Sequence, residues 1–169
     1  TTDWWTATSA GIDALEVKGM DARLKIDDEI DASIKGLDLK AKTYLDAETT
    51  KLSHQQHLKI GEIVSKVKGL PQMNLSYEQR DRFELMLSTG SLALLGTEVS
   101  VSDFLKLKFT GKVEVYGQKG FELNGINTEI DLPALIRWLP TEFREPIKTL
   151  ETDARLSAVT NIRGKLPTA

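Results

Sequence analysis

His54 and His57 stand three residues apart in Ser53-His54-Gln55-Gln56-His57-Leu58, and they are the only imidazoles in the chain. On a helix that spacing would place both rings on one face, where imidazoles hold a metal ion or relay a proton. A metal needs at least a third ligand, and the chain offers neither a third histidine nor a cysteine. No serine, cysteine or acid stands beside either ring in an arrangement that would make it a general base. The segment reads as a polar loop, with no metal, no cofactor and no catalytic residue assigned.

Other chemistry-bearing groups give similarly plain readings. Asp27, Asp28, Glu29 and Asp31 form the densest acidic cluster. A calcium loop would space its oxygens by two around a central glycine and close on a glutamate, and both of those are missing. A turn between strands is the simpler account. Gly117, Gly120 and Gly125 are not followed by a helix start, so they make turns and do not cradle a phosphate. Trp4, Trp5 and Trp138 would serve as stacking platforms or interface anchors, but packing is their commoner use. With no cysteine, disulfides, thiolate nucleophiles and iron–sulfur ligation are excluded. No enzymatic activity is expected.

Charge narrows the partners. The chain has 22 basic and 25 acidic residues, a net charge of -3, and no block of one sign. Nucleic-acid binding normally requires a basic patch, so no nucleic-acid partner is expected. No apolar run approaches the roughly 20 residues that span a bilayer. Thr1 begins without a charged and hydrophobic leader, so the 169 residues are expected to be one domain, either a mature one or a fragment cut from a longer protein, the reading preferred here.

The elements that would position these groups follow from hydropathy. Over 15–47 the apolar residues alternate: Leu15 and Val17, then Met20, Ala22, Leu24 and Ile26, then Ile30, Ala32 and Ile34, then Leu37, Leu39 and Ala41. Charged residues fill the gaps, so each strand has an oily face and a charged face, as in a half-buried antiparallel sheet. The phase slips at Gly19 and Gly36, which demands a bulge or a turn at each. Both glycines sit in one local string, Val17-Lys18-Gly19-Met20-Asp21 and Ile34-Lys35-Gly36-Leu37-Asp38, echoed by Val67-Lys68-Gly69-Leu70. The second half alternates through Phe83, Leu85 and Leu87, then Leu92 and Leu94, Val99 and Val101, Leu105, Leu107 and Phe109, and Val113 and Val115. Gly96, Gly111, Gly117, Gly120 and Gly125 punctuate these runs at hairpin-like spacing.

The pattern predicts on the order of eight to ten strands, in a sheet that must curl, close or stack. Short helices are predicted over 133–139, where Leu135, Ile136, Trp138 and Leu139 share a helical face, over 141–150, and over 3–10. The segments 49–56 and 74–81 read as loops. A final strand or two is expected around 154–162.

Three stretches carry a family resemblance. The run from Ile34 to Ala47, then Leu58-Lys59-Ile60-Gly61-Glu62-Ile63 with Val67-Lys68-Gly69-Leu70, and then Ile130-Asp131-Leu132-Pro133 leading to Trp138-Leu139 and on to Leu150–Ala158, resemble the strand-and-short-helix pattern of AsmA-like envelope proteins. The resemblance implies a long twisted sheet, open along one side, whose apolar face meets acyl chains in the periplasm between two membranes. It implies a phospholipid or other acyl lipid as ligand, other envelope proteins as further partners, an anchoring segment outside this chain, and no catalytic residue.

The expected architecture is therefore mainly β: a twisted antiparallel sheet forming an open groove or a sandwich, with one or two short helices, one of them capping an end. The expected lipid-contacting residues are Leu85, Leu87, Leu92, Leu94, Val99, Val101, Leu105, Leu107, Phe109, Val113 and Val115. The alternative is a structural or interaction sandwich, adhesin-like or from a secretion system, with no small ligand. An enzyme whose carboxylates converge only on folding is a third reading.

Overall fold

The computed structural model describes residues 9–26, 29–114, 116 and 119–165. Among these residues, eight strands form one antiparallel sheet in simple meander order. They are β1 (Ser9–Ile26), β2 (Ile30–Asp46), β3 (Lys51–Val67), β4 (Met73–Met86), β5 (Ser91–Val101), β6 (Leu105–Glu114), β7 (Gly120–Asp131) and β8 (Arg155–Lys165). Between β7 and β8 the chain makes two short helices, α1 (Leu132–Trp138) and α2 (Thr141–Arg144), and a 3₁₀ turn (Glu145–Ile147). Among the described residues, each strand pairs with its neighbours in sequence. The sheet is open: it does not close into a barrel, and no second layer covers it among the described residues. Of the two forms expected, the sandwich is thus not the one adopted.

Why the strands stay in phase despite the slips is visible in the register. Gly19, Gly36 and Gly125 have φ of 61°, 62° and 58°, the left-handed conformation that glycine adopts without steric cost. At each, the pairing shifts by one residue, as in a bulge. Gly61 in β3 and Gly96 in β5 mark two further shifts. The slip that would turn an apolar set outward is thereby absorbed, so Val17 and Met20, Ile34 and Leu37, and Ile60 and Ile63 all keep to one face.

The repeated strings meet each other. The backbone N–H of Gly19 donates to Asp38 Oδ1 at 2.9 Å, and that of Gly36 donates to Asp21 Oδ1 at 2.8 Å. Each bulge frees a donor from the ladder, and the aspartate of the opposite string satisfies it. The similarity of the two strings is therefore that of two sides of one reciprocal joint. In the third string, Gly69 has φ of 78° and lies in the turn after β3.

Three expectations are corrected here. The segments predicted as loops are strand: 51–56 opens β3 and 74–81 lies in β4. Their polar residues obscured an alternation that the ladders on both sides enforce, tertiary pairing overriding local preference. Gly96, Gly111 and Gly125 are not hairpin turns but lie inside strands. Gly111 sits where β7 approaches closely, since a Cβ there would come 2.6 Å from the Glu122 carbonyl oxygen. Of the helix predicted over 3–10, Ser9 and Ala10 belong to β1, and the remainder, with Trp4 and Trp5, lies outside the described residues, as do Asp27, Asp28, Val115 and Gly117.

Candidate functional site

Residues paired across antiparallel strands project to the same side, so the register assigns every strand residue to a face. One row runs Leu45, Leu52, Leu85, Leu92, Val113 and Phe121. A second, nearer the opposite end, runs Leu37, Ile60, Tyr77, Val101, Leu105, Ile130 and Leu156. Leu39, Leu58, Val99 and Leu107 sit on the same face one step in. The sheet brings together Leu85, Leu92, Leu94, Val99, Val101, Leu105, Leu107, Phe109 and Val113 from the sequence-predicted set. Leu87 is not among them: it falls in the turn after β4, 48% exposed. Val115 lies outside the described residues.

This face is packed sideways but not covered. Ile60 and Ala134 are the only buried apolar residues among those described, and no large side chain is fully enclosed. Leu15 and Leu24 in β1 and Leu156 in β8 remain more than half exposed, at 51%, 57% and 52%. β2 and β3, of 17 residues each, extend roughly 55 Å at about 3.3 Å per residue.

One end is bridged. Asp131 caps α1, its Oδ1 accepting from the Ala134 N–H at 2.8 Å, with Pro133 in the first turn. The helix then carries Trp138 back to β4, where its indole N–H donates to the Asn74 carbonyl and its ring lies 4.9 Å from Phe104. It thus crosses the strand ends from β7 to β4, which matches the expected capping helix.

The apolar face is interrupted midway by a polar patch that sequence reasoning missed. Gln56, Asp81 and Thr97 lie side by side on β3, β4 and β5, with Gln79 one step along from Asp81. The Gln56 amide donates to Asp81 Oδ2 at 2.7 Å, the Gln79 amide donates to the same oxygen, and the Tyr77 hydroxyl donates to Gln79 Oε1. Burial, and after it the charge of Asp81, pushes the Tyr77 phenol above its usual range, so it stays protonated as the donor that starts this chain. Beside it, His54 shares a hydrogen bond with Thr43 at 2.8 Å and stacks on Phe83 at 4.8 Å. The alternation Tyr77, Gln79, Asp81, Phe83 and Leu85 was the available signal, legible only once 74–81 is taken as strand.

The two histidines do not act together. His57 projects from the other face of β3, where Nε2 donates to Glu78 at 2.8 Å. That face is a mesh of ion pairs: Lys35 with Glu62 at 2.8 Å, Lys40 with Glu16 at 3.1 Å, Arg80 with Glu78 at 2.6 Å, and Lys108 with Glu98 at 3.1 Å. The bond from His57, with Arg80 adding to it, holds the Glu78 carboxyl below its usual range. A hollow of about 600 Å³ is lined by Glu16, Lys40, His57 and Arg80 of this face together with Gln56 and Asp81; Glu16 pairs there with Lys40, and His57 and Arg80 pair with Glu78. Among the described residues, no helix is long and apolar enough to cross a membrane. Comparison of the chain with protein-family models, with curated proteins and with solved structures finds no match.

Proposed function

We infer that this sheet holds a phospholipid or other acyl lipid against its apolar face, as part of a periplasmic envelope protein that stores or conducts lipid. The observation that carries the reading is the single open layer: apolar side chains on all eight strands share one face, and nothing in the described chain seals it. Each acyl methylene moved from water onto such a surface contributes about 0.8 kcal/mol, so a chain of a dozen binds without a polar contact. No catalytic group is needed for that task. The resemblance of the strand pattern to AsmA-like proteins supports the same reading and its compartment.

A second reading is an interaction module. Among the described residues β1 is an edge strand, 18 residues long with Ile12, Leu15 and Leu24 exposed, a ready template for another chain's strand. Native mass spectrometry of the purified protein, with lipid extraction in parallel, separates the two. Co-purifying acyl lipid is the expected result. Lipid-free protein that cannot be loaded from vesicles would overturn the first reading and leave the second.

A further inference from the structure

A carboxylate at the centre of an apolar surface is costly unless something answers its charge. Asp81 is half-buried on that face, and among the described residues no Lys, Arg or His nitrogen forms an ion pair with it. Its sequence neighbours Arg80 and Arg82 alternate to the opposite face, where Arg80 is taken up by Glu78. The bonds that Asp81 does accept come from neutral amides, and both end on Oδ2. The orientation of Gln79 is fixed by the Tyr77 hydroxyl, which occupies its carbonyl and leaves its NH₂ turned to the carboxylate. The patch is therefore a held acceptor, with Oδ1 receiving no bond among the described residues and the charge uncompensated.

We propose that Asp81, positioned by Gln56, Gln79 and Tyr77, binds the ammonium headgroup of an acyl lipid whose chains lie on the apolar fields to either side. This deepens the lipid-holding reading and rests on it. Leu52, Phe83, Leu85 and Leu92 make the field on one side, and Leu58, Ile60, Val99 and Leu107 begin the field on the other. From Gln56, β3 runs five residues to Lys51 and eleven to Val67, roughly 17 Å and 36 Å of surface at about 3.3 Å per residue. A headgroup that donates N–H to Oδ1 supplies both the missing counter-charge and the missing hydrogen bond, and charge-assisted bonds of this kind are the strong ones.

The test offers the protein equimolar vesicles of dioleoyl phosphatidylethanolamine and dioleoyl phosphatidylcholine and weighs the bound lipid by mass spectrometry. The two share phosphate and acyl chains, but the second has no N–H to donate. Enrichment of the ethanolamine lipid by about tenfold is expected for the native protein, the ordinary worth of a charge-assisted bond. The N-methylated ethanolamine lipids should fall in order between the two, a series that needs no variant. Asp81→Asn keeps an acceptor for both amides and should lower the enrichment toward parity; a tenfold enrichment that persists in this variant would overturn the assignment to Asp81. Equal uptake of both lipids by the native protein would overturn this inference and leave the lipid-holding reading standing. Uptake of neither would overturn that reading itself.

Discussion

The two faces of this sheet are made by the same strands, yet only one of them is complete. On the charged face, cation and anion come from adjacent strands and meet there: Lys35 with Glu62, Lys40 with Glu16, Lys108 with Glu98. On the apolar face, side chains touch their lateral neighbours but, among the described residues, find nothing above them, and one carboxylate has only amides for company. Exposed ion pairs contribute little to stability, so the sheet is held by its ladders and by sideways apolar packing. What distinguishes the faces is that one has its partners within the chain and the other does not. A ligand is expected where partners are missing.

The largest expected effect breaks that asymmetry directly. Leu107→Asp places a charge on the apolar face, whereas Lys108→Asp, its neighbour, alters the charged one. Lipid uptake, read by mass spectrometry after loading from vesicles, should be lost in the first and kept in the second, with the β signal in circular dichroism retained in both. Aggregation of Leu107→Asp would indicate instead that the face is needed to complete the fold.

Lateral packing is tested by Ile60→Ala. Ile60 is 8% exposed at the centre of a row, and its truncation should cost about 2 kcal/mol in urea unfolding, the low end for such a change because an open face relaxes easily. Next comes the joint between the repeated strings. Gly36→Ala has room for its methyl group, since the nearest atom is 4.0 Å away, but must hold φ at 62°, a cost of about 1–2 kcal/mol.

The smallest effect is electrostatic. Glu78 has its folded-state pKa lowered, so its contribution is present above the ordinary glutamate range and is lost as pH falls through the folded value. As pH falls from above the usual glutamate value of about 4.3 to below the lowered folded value, Glu78→Gln should lose slightly less stability than the native protein when urea midpoints are compared. An identical pH dependence would show that the pair with His57 contributes nothing.

Much of the fold was legible because alternation is a strong signal. The strands from β1 to β2 follow from it, as does the face shared by Leu92, Leu94, Val99 and Leu107, whereas the two short helices between β7 and β8 follow from helical spacing and flanking prolines. What misled were polar residues on the apolar face and glycines inside strands. Gln56, Gln79 and Asp81 made two strand segments resemble loops, although Tyr77, Phe83 and Leu85 kept the period of two. Asn124-Gly125 is a strong hairpin signal in isolation, yet Gly125 is a bulge whose N–H donates to Asn161 at 2.8 Å. The distinguishing pattern is an apolar pair three residues apart with glycine between: Val17 and Met20, Ile34 and Leu37, Ile60 and Ile63, Leu94 and Thr97, Leu123 and Ile126. In each the face resumes after the glycine, which a turn would not require. Thr97, the polar member, is buried to 8% exposure beside Asp81. The alternation through Tyr77, Gln79 and Asp81 signals the β4 part of the Asp81 network, whereas its bond from Gln56 forms only through the register of β3 against β4.

The most direct measurement reads the two faces against each other. A benzophenone side chain incorporated in place of Leu39 or Leu107, and separately in place of Lys40 or Lys108, is irradiated in protein loaded from phospholipid vesicles, and adducts are weighed by mass spectrometry. Lipid adducts at the two leucine positions and none at the two lysine positions are the expected result. Equal labelling at all four, or no lipid adduct at either leucine, would contradict the account.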